Sequence, residues 1–354
     1  MRISRIIAVF FWTIFGVCDA SNFMEKGKNM MKSMEDDYMF MIEQAVKAPS
    51  GHNTQPWIFE VGEDGITLKP DMSKSLPVVD ADNREMFVSL GCALENLVIA
   101  ASVRGYGFDI KVTDDKCVRV SFSLQEKKYR YASLFPQIIL RSTNRSVYSG
   151  KSVEDSLMVR LINSSQEGNV ELFSYARGSK EYEDIGNLIF QGNEKQMGND
   201  AFKKELKEWM RYNKRHTERE RDGLSYAVFG APDLPMFISK TIMNGLLRPK
   251  AQNKSDLKKM KSSSHAVLFT VNHNVPEEWI NLGRCLQRLL LQLTEHGISY
   301  AFMNQPCEIE DISGNLCRNL GLGTRFPVVL LRVGYAAPMP FSLRKEVGGF
   351  IRYK

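Results

Sequence analysis

The pattern Leu90-Gly91-x-x-Leu94-x-x-Leu97 returns as Leu282-Gly283-x-x-Leu286-x-x-Leu289, and Gly105 returns as Gly297, each pair 192 residues apart. In both copies leucines recur at helical spacing and a glycine closes the run, which predicts an apolar-striped helix with a glycine stop. A Leu-rich helix ending in Gly is common, so the repeat alone leaves duplication open. It fits a chain of two similar lobes, and 354 residues are enough for one large or two medium domains. Around the repeats, a helix is expected over Tyr38 to Lys47 and an alternating strand from Trp57 to Val61. Asp64-Gly65 turns into a second strand carrying Ile66 and Leu68, and further strands are expected around Phe108–Val112 and Val118–Leu124. Asp82 and Glu85 are spaced as a capping box for the first repeat helix. Phe202, Leu206, Trp209 and Met210 read as one helical stripe. The nearly all-apolar runs Ala266–Val271 and Val328–Val333 predict central strands, with a helix from Glu277 to His296 between them. Such alternation indicates α/β or α+β and excludes a helical bundle.

Composition narrows the function classes. A net charge of +6 without a long basic block argues against a nucleic-acid binder and suits an anionic small ligand. The dense charged stretch Lys203 to Asp222 mixes both signs, as a solvated helix face does. Six cysteines (18, 92, 117, 285, 307 and 317) form no C-x-x-C pair, and no Cys/His cluster has metal-ligand spacing. The five histidines are dispersed, with no Ser-His-Asp or Cys-His constellation, and no Gly-rich nucleotide loop is present. At the start, Arg2 and Arg5 precede the apolar run Ile6 to Val17 and then Cys18-Asp19-Ala20. That is the order of a secretory signal, and it is too short for a membrane span. Met24, Met30, Met31 and Met34 are alternative starts. Two locations therefore stay open: export through a signal at residues 1–20, or the cytoplasm if translation starts between Met24 and Met34. Residues 21–37 are polar and unpatterned, as a linker is.

Three stretches carry groups suited to binding. In Ala48-Pro49-Ser50-Gly51-His52-Asn53-Thr54-Gln55-Pro56-Trp57, Pro49 ends the preceding helix, and Ser50 and Gly51 permit tight turns that leave backbone N–H groups free. Asn53 and Gln55 add amides that both donate and accept, a match for a flat heterocycle, although a plain helix-to-strand turn has the same composition. Arg141-Ser142-Thr143-Asn144-Arg145 packs two guanidiniums, two hydroxyls and an amide into five residues after the apolar run Ile138–Leu140. Arginine forks and hydroxyls suit a phosphate dianion, the alternative being a solvated turn after a strand. Ser342, Arg344 and Lys345 form a second basic element near the C-terminus.

Ala-Pro-Ser-x-x-Asn-x-Gln-Pro-Trp resembles the signature loop of the nitroreductase-like FMN-binding family. Pro77-Val78-Val79-Asp80 through Arg84 to Ala101, Arg141 to Arg145, and Leu331-Arg332-Val333-Gly334-Tyr335 through Pro340 to Lys345 resemble its single-chain, two-lobed Acg-like branch, in matching order over about residues 38–354. The resemblance implies an α+β nitroreductase-like fold duplicated in one chain, two lobes standing in for the usual homodimer. Residues 1–37 would be leader and linker, 38–125 the first lobe, and 136–354 the second lobe with a lid over 203–235. It implies one FMN at the junction, with Arg141, Ser142, Arg145, Arg344 and Lys345 toward the phosphate and ribityl chain. Pro49, Ser50, Gly51, Asn53 and Gln55 would face the ring, and Met303-Asn304-Gln305-Pro306 would form the ring-edge loop, with Asn304 in the site. Arg84 matches a recurring family arginine, with Asp80 or Asp82 as its alternative partner. Ser342 stands where classical members carry a Lys, a departure that weakens the phosphate charge unless Lys345 compensates. The implied activity is hydride transfer from NAD(P)H through FMN to a nitroaromatic or quinone-like acceptor. The alternative is an FMN-sequestering protein with little turnover. No catalytic side chain and no metal is assigned, because a flavin carries the hydride itself. The expected state is a monomeric pseudo-dimer, with further oligomerisation left open, whose partner is a small-molecule acceptor, with no nucleic acid and no stable membrane span.

Overall fold

The computed structural model describes residues 34–354. The signal-like run at residues 1–20 lies outside them, as does the expected linker up to residue 33. Residues 34–45 are helical, so the first helix starts earlier than the sequence pattern places it.

Two sheets flank a central pair of helices. In the first sheet, Trp57–Gly62 pairs antiparallel with Gly65–Pro70, which continues to Val118–Leu124 and then Tyr106–Val112. Its other edge is the C-terminal strand Ile351–Tyr353, parallel to Trp57–Gly62 with Phe59 opposite Ile351. The chain end thus joins the sheet of the first segment, an element that a division at residues 125–136 assigns to the other lobe. The second sheet has the order Glu171–Ala176, His265–Val271, Phe326–Gly334, Ser299–Phe302, all antiparallel. Its two middle strands are the all-apolar runs expected to be central, and burial on both faces explains their lack of alternation. A two-stranded ribbon, Met210–Arg211 with Leu224–Ser225, lies between these segments in sequence. Met210 therefore leaves the predicted helical stripe, because the helix Asp200–Glu208 ends before it.

The central helices are Arg84–Val103 and Pro276–Glu295. They meet at Gly91 and Gly283. A Cβ on Gly91 would fall 2.1 Å from the Ile280 carbonyl oxygen, and one on Gly283 would fall 2.1 Å from that of Val88. Val88 and Ile280 are again 192 residues apart, so the contact is symmetric. One turn on, Arg288 Nε donates to Glu95 Oε1 at 2.9 Å, while Gln287 Nε2 donates to Asn96 Oδ1 at 2.7 Å. The same two positions of the repeat hold an ion pair in one direction and an amide pair in the other. Arg84–Val103 is long and apolar enough to cross a membrane, but nearly all of it is buried in this core.

The capping box is not formed. Asn83 caps the helix in the left-handed region (φ 59°) with no side-chain bond. The helix N–H groups go to carboxylates upstream: Asp80 accepts from Glu85 N at 2.9 Å and from Met86 N at 3.0 Å, and Asp82 accepts from Arg84 N at 3.2 Å. That releases the Glu85 side chain to face inward. The stretch Gln137–Leu140 before Arg141 is a single helical turn, not a strand.

Candidate functional site

A cavity of about 600 Å³ lies where the first helix and its loop, the starts of helices Arg84–Val103 and Gln305–Glu308, the 138–145 stretch and the C-terminal tail meet. Its lining comes from both expected lobes. Pro49, Ser50, Gly51, Asn53, Arg141, Ser142, Arg145, Asn304 and Arg344 all line it. Gln55 and Lys345 do not.

The loop is held in an unusual shape. His52 (φ 47°), Asn53 (φ 58°) and Gln55 (φ 56°) all sit in the left-handed region, a strained arrangement that persists only when surroundings fix it. The fixing groups are the amides that the sequence offered for reading a ring. Asn53 Nδ2 donates to the carbonyls of Gly223 and Leu343, both at 3.1 Å, and its Oδ1 accepts from Arg344 Nη1 at 2.7 Å. Gln55, 1% exposed, donates to the Arg221 carbonyl at 2.9 Å and accepts from Lys345 N at 2.9 Å. Lys345 Nζ lies 2.7 Å from Asp222, which also pairs with buried Arg211. Together with Glu205, which accepts from Val78 N and Val79 N, these contacts tie the 203–235 segment down. Phe202 and Leu224 form part of the cavity wall. The exposed lining residues Ile139, Pro340 and Phe341 mark its mouth instead.

The three arginines differ in how they are used. Arg344 donates to the carbonyls of Val46, Lys47 and Ala48, so it caps the C-terminus of the first helix. Arg141, 6% exposed, donates to Tyr300 Oη at 3.0 Å and to the Lys47 carbonyl at 3.2 Å, and its Nε has no partner. Arg145 stands over the Phe229 ring at 5.6 Å and donates to no protein acceptor among the described residues. Neither do the hydroxyls of Ser142 and Thr143. No carboxylate pairs with any of the three arginines among the described residues. Loss of solvent, and then Arg332 and Arg141, pull the Arg145 pKa down to about 10. Loss of solvent and then Arg141 pull Arg344 to about 9. His52, half-buried in the cavity wall, is pulled to about 4 by loss of solvent and then by Arg145, and stays neutral at pH 7.

The opposite end of the cavity is acidic. Asn304 does not point its amide at the void: Nδ2 donates to Glu85 Oε1 at 2.9 Å, and Oδ1 accepts from Leu330 N at 3.0 Å. Its backbone N–H makes no hydrogen bond among the described residues. Glu308 lines the same wall and accepts from Gln196 Nε2. Arg84 reaches the Cys307 carbonyl at 2.7 Å, not Asp80 or Asp82 as an ion pair. Thr143, Glu85, Gln196 and Glu308 are site residues that motif reading passed over. Thr143 stood inside a motif already singled out. Glu85 and Glu308 are 223 residues apart and gave no local signal. No group of three or more His, Cys, Asp or Glu side chains is placed to hold a metal among the described residues.

Fold and site together define an α+β protein with two main sheets and a cavity lined by arginines from one set of elements and by Glu85 and Glu308 from another. In sequence the chain is similar to proteins named as nitroreductases along nearly its whole length. Over 332 residues, 88% of this chain and 90% of the relative, it is 25% identical to a Mycobacterium tuberculosis protein named "Putative NAD(P)H nitroreductase Rv3131". No family model matches the chain. Similar solved structures include the FMN-dependent nitroreductase NfnB of Mycobacterium smegmatis in complex with NADPH, 13% identical with a TM-score of 0.41 over 63% of this chain and 99% of that one. Another is an FMN-bound nitroreductase of Bacteroides fragilis, 13% identical with a TM-score of 0.34 over 58% and 88%.

Proposed function

We propose that this protein is an FMN-binding oxidoreductase of nitroreductase type, in which one chain of two lobes completes one flavin site. The observation that carries the reading is the set of unspent donors at the cationic end. Arg145, Ser142 and Thr143 line the cavity without protein acceptors, and the buried Arg141 keeps a free Nε. An uncompensated guanidinium cluster costs stability unless an anion answers it, and a phosphate dianion fits forks and hydroxyls. The resemblance of the 48–57, 141–145 and 331–345 stretches to the nitroreductase-like FMN-binding family makes FMN the anion of choice. About 600 Å³ is within the range of small-molecule sites.

In this reading Arg145, Ser142, Thr143 and Arg141 hold the phosphate, and Arg344 adds charge while fixing the loop. The 49–53 backbone forms one wall for the ring. The free N–H of Asn304 supports its assignment to the ring edge. Bound FMN would take a hydride from NAD(P)H and supply reducing electrons to an acceptor. The protein's part is to bind, orient and exclude water. The exposed apolar mouth at Ile139 and Phe341 suits a flat apolar acceptor such as a quinone-like or nitroaromatic compound.

The test is to purify the protein with FMN, add NADPH or NADH without oxygen, and follow the flavin band. Bleaching within seconds at millimolar nucleotide is expected. A flavin that dithionite reduces and NAD(P)H does not would instead mark a flavin-holding protein whose tied-down 203–235 segment keeps the nucleotide out.

A further inference from the structure

The helix Met236–Leu246 is apolar on two faces and packs through one of them. Met236, Lys240, Met243 and the following Leu247 recur at helical spacing and form its inner stripe. Met236 and Met243 pack against Met210, Tyr212 and Leu224, and the Lys240 ammonium stands 5.5 Å from the Tyr212 ring centroid. The other side carries Phe237, Ile238, Thr241, Ile242 and Gly245, with Leu246 at its border, and holds no charge. Phe237 is 72% exposed, Ile242 50% and Leu246 49%. Thr241 Oγ1 donates to the Phe237 carbonyl at 2.9 Å, so its hydroxyl proton needs no water. No residue of this helix is buried. Single exposed apolar side chains are ordinary, but a helix with a whole uncharged face in water marks an interaction surface.

The surroundings of that face are basic. From Leu234 to Ser255 the chain has no Asp or Glu and four cations, Lys240, Arg248, Lys250 and Lys254. In a groove of about 740 Å³ beside the helix, Lys240 and Arg248 meet Lys203, Lys204 and Lys207 of the helix Asp200–Glu208. The acids of the groove are Glu208 and Asp200, which pairs with Lys203 at 2.8 Å. That leaves Lys204, Lys207, Lys240 and Arg248 without a carboxylate partner among the described residues. A second copy of this chain would set the same cations against them and repel. An anionic lipid surface satisfies both features: acyl chains take the apolar side chains, and headgroup phosphates answer the cations.

We propose that Met236–Leu246 docks this protein onto an anionic lipid surface. Phe237, Ile242 and Leu246 enter the boundary of the acyl region, while Arg248, Lys250 and the unpaired cations of the groove meet headgroup phosphates. The chain leads into this helix from the cavity. Phe229 lies under the cavity's Arg145, and a Cβ on Gly230, six residues before the helix begins, would stand 3.7 Å from Met339 Cε. Docking therefore brings the lipid surface close to the exposed mouth at Phe341 and Ile139.

Hydrogen exchange of the full-length protein, read by mass spectrometry in the presence of mixed phosphatidylglycerol and phosphatidylcholine vesicles, tests this. It reports on the helix itself, so attachment through the apolar run Ile6 to Val17 is told apart from docking. Amides of Met236–Leu246 should exchange more slowly with these vesicles and at their free rate with phosphatidylcholine alone. The lipid concentration that gives half of this protection should rise at least about tenfold in Phe237→Ser/Ile242→Ser, where two apolar side chains no longer leave water. It should rise at least about fivefold in Arg248→Ala/Lys250→Ala, which keeps the apolar face. Leu124→Ser, at a 79% exposed leucine of the strand Val118–Leu124, should change nothing. Should one double variant fail to fold, the other still decides. Exchange indifferent to anionic vesicles, equal protection by neutral ones, or wild-type protection in Phe237→Ser/Ile242→Ser would overturn the proposal. So would a wild-type dimer in sedimentation velocity that this variant dissociates, because the face would then belong to a second copy. None of these readouts involves flavin, so failure to bind FMN leaves the test intact.

Discussion

Two groups of buried and half-buried arginines lie in this molecule, and the chain treats them in opposite ways. Around Glu95, which is fully buried, Arg288 donates through Nε at 2.9 Å and Nη2 at 3.2 Å, Arg284 donates through Nε at 3.0 Å, and Tyr129 Oη donates at 2.9 Å. Arg288 also reaches Glu167. The nearby carboxylate pushes the pKa of both arginines up, against the effect of burial. In the cavity no carboxylate answers Arg141, Arg145 or Arg344 among the described residues, and the pKa values of Arg145 and Arg344 fall. The first group is closed by the fold itself. The second is left open, and Arg145 most of all. The difference separates arginines that tie the two central helices together from those left without a counter-ion among the described residues, and Arg344, capping a helix while lining the cavity, stands between.

The largest expected effect comes from emptying the open group. Charge-assisted hydrogen bonds contribute roughly 1.5–3 kcal/mol each, so Arg141→Ala/Arg145→Ala should weaken FMN by about two to four orders of magnitude. Flavin fluorescence titration checks this, and wild-type affinity in the double variant would break the comparison. Next is the closed group. Glu95→Gln removes the buried charge that Arg288 and Arg284 share and should cost about 3–5 kcal/mol in urea unfolding, with little change in FMN affinity of the folded fraction. Affinity lost in step with stability would mean the two groups are not separate. A smaller effect is expected at the helix crossing. Gly91→Ala places a methyl 2.1 Å from the Ile280 carbonyl and should cost about 1–3 kcal/mol. Gly283→Ala should cost about as much, and the double variant less than the sum, because one separation of the helices relieves both.

The remaining prediction is a pH slope. Burial, then Glu85, raise the Asp80 pKa from 3.8 to about 7. The folded protein therefore keeps a proton that the unfolded chain releases. Stability that is fully present below about pH 4 should erode as pH rises to about 7 and then level off. Thermal midpoints across that range test it, and Asp80→Asn should flatten the slope.

What the sequence made legible followed from local rules. The all-apolar runs at Ala266–Val271 and Val328–Val333 are central strands because burial on both faces removes alternation. The repeat at Gly91 and Gly283 marks the helix crossing, because only glycine lets two backbones approach so closely. The Arg141–Arg145 motif reached the cavity with Ser142, Thr143, Arg145 and the Nε of Arg141 left without protein acceptors among the described residues. The failures have a common cause in long-range pairing. Asn53 and Gln55 looked like ligand-reading amides, yet their partners, Gly223, Leu343, Arg221 and Lys345, lie 166 or more residues away. The Ile351–Tyr353 strand joins a sheet nearly three hundred residues upstream. Glu85 was assigned to a capping box because its local spacing fits one, but Asp80 took the helix N–H groups and left Glu85 for the cavity. No window of sequence contains those competitions.

The central claim is that the open arginine group exists for a phosphate. The measurement that tests it most directly is the ratio of the dissociation constants for riboflavin and FMN, which differ only in the phosphate, titrated into flavin-free wild-type protein. At least about a hundredfold preference for FMN is expected, from roughly 3 kcal/mol or more of charge-assisted bonds. The preference should collapse in Arg141→Ala/Arg145→Ala. Equal affinity for riboflavin and FMN in the wild-type protein would contradict the account.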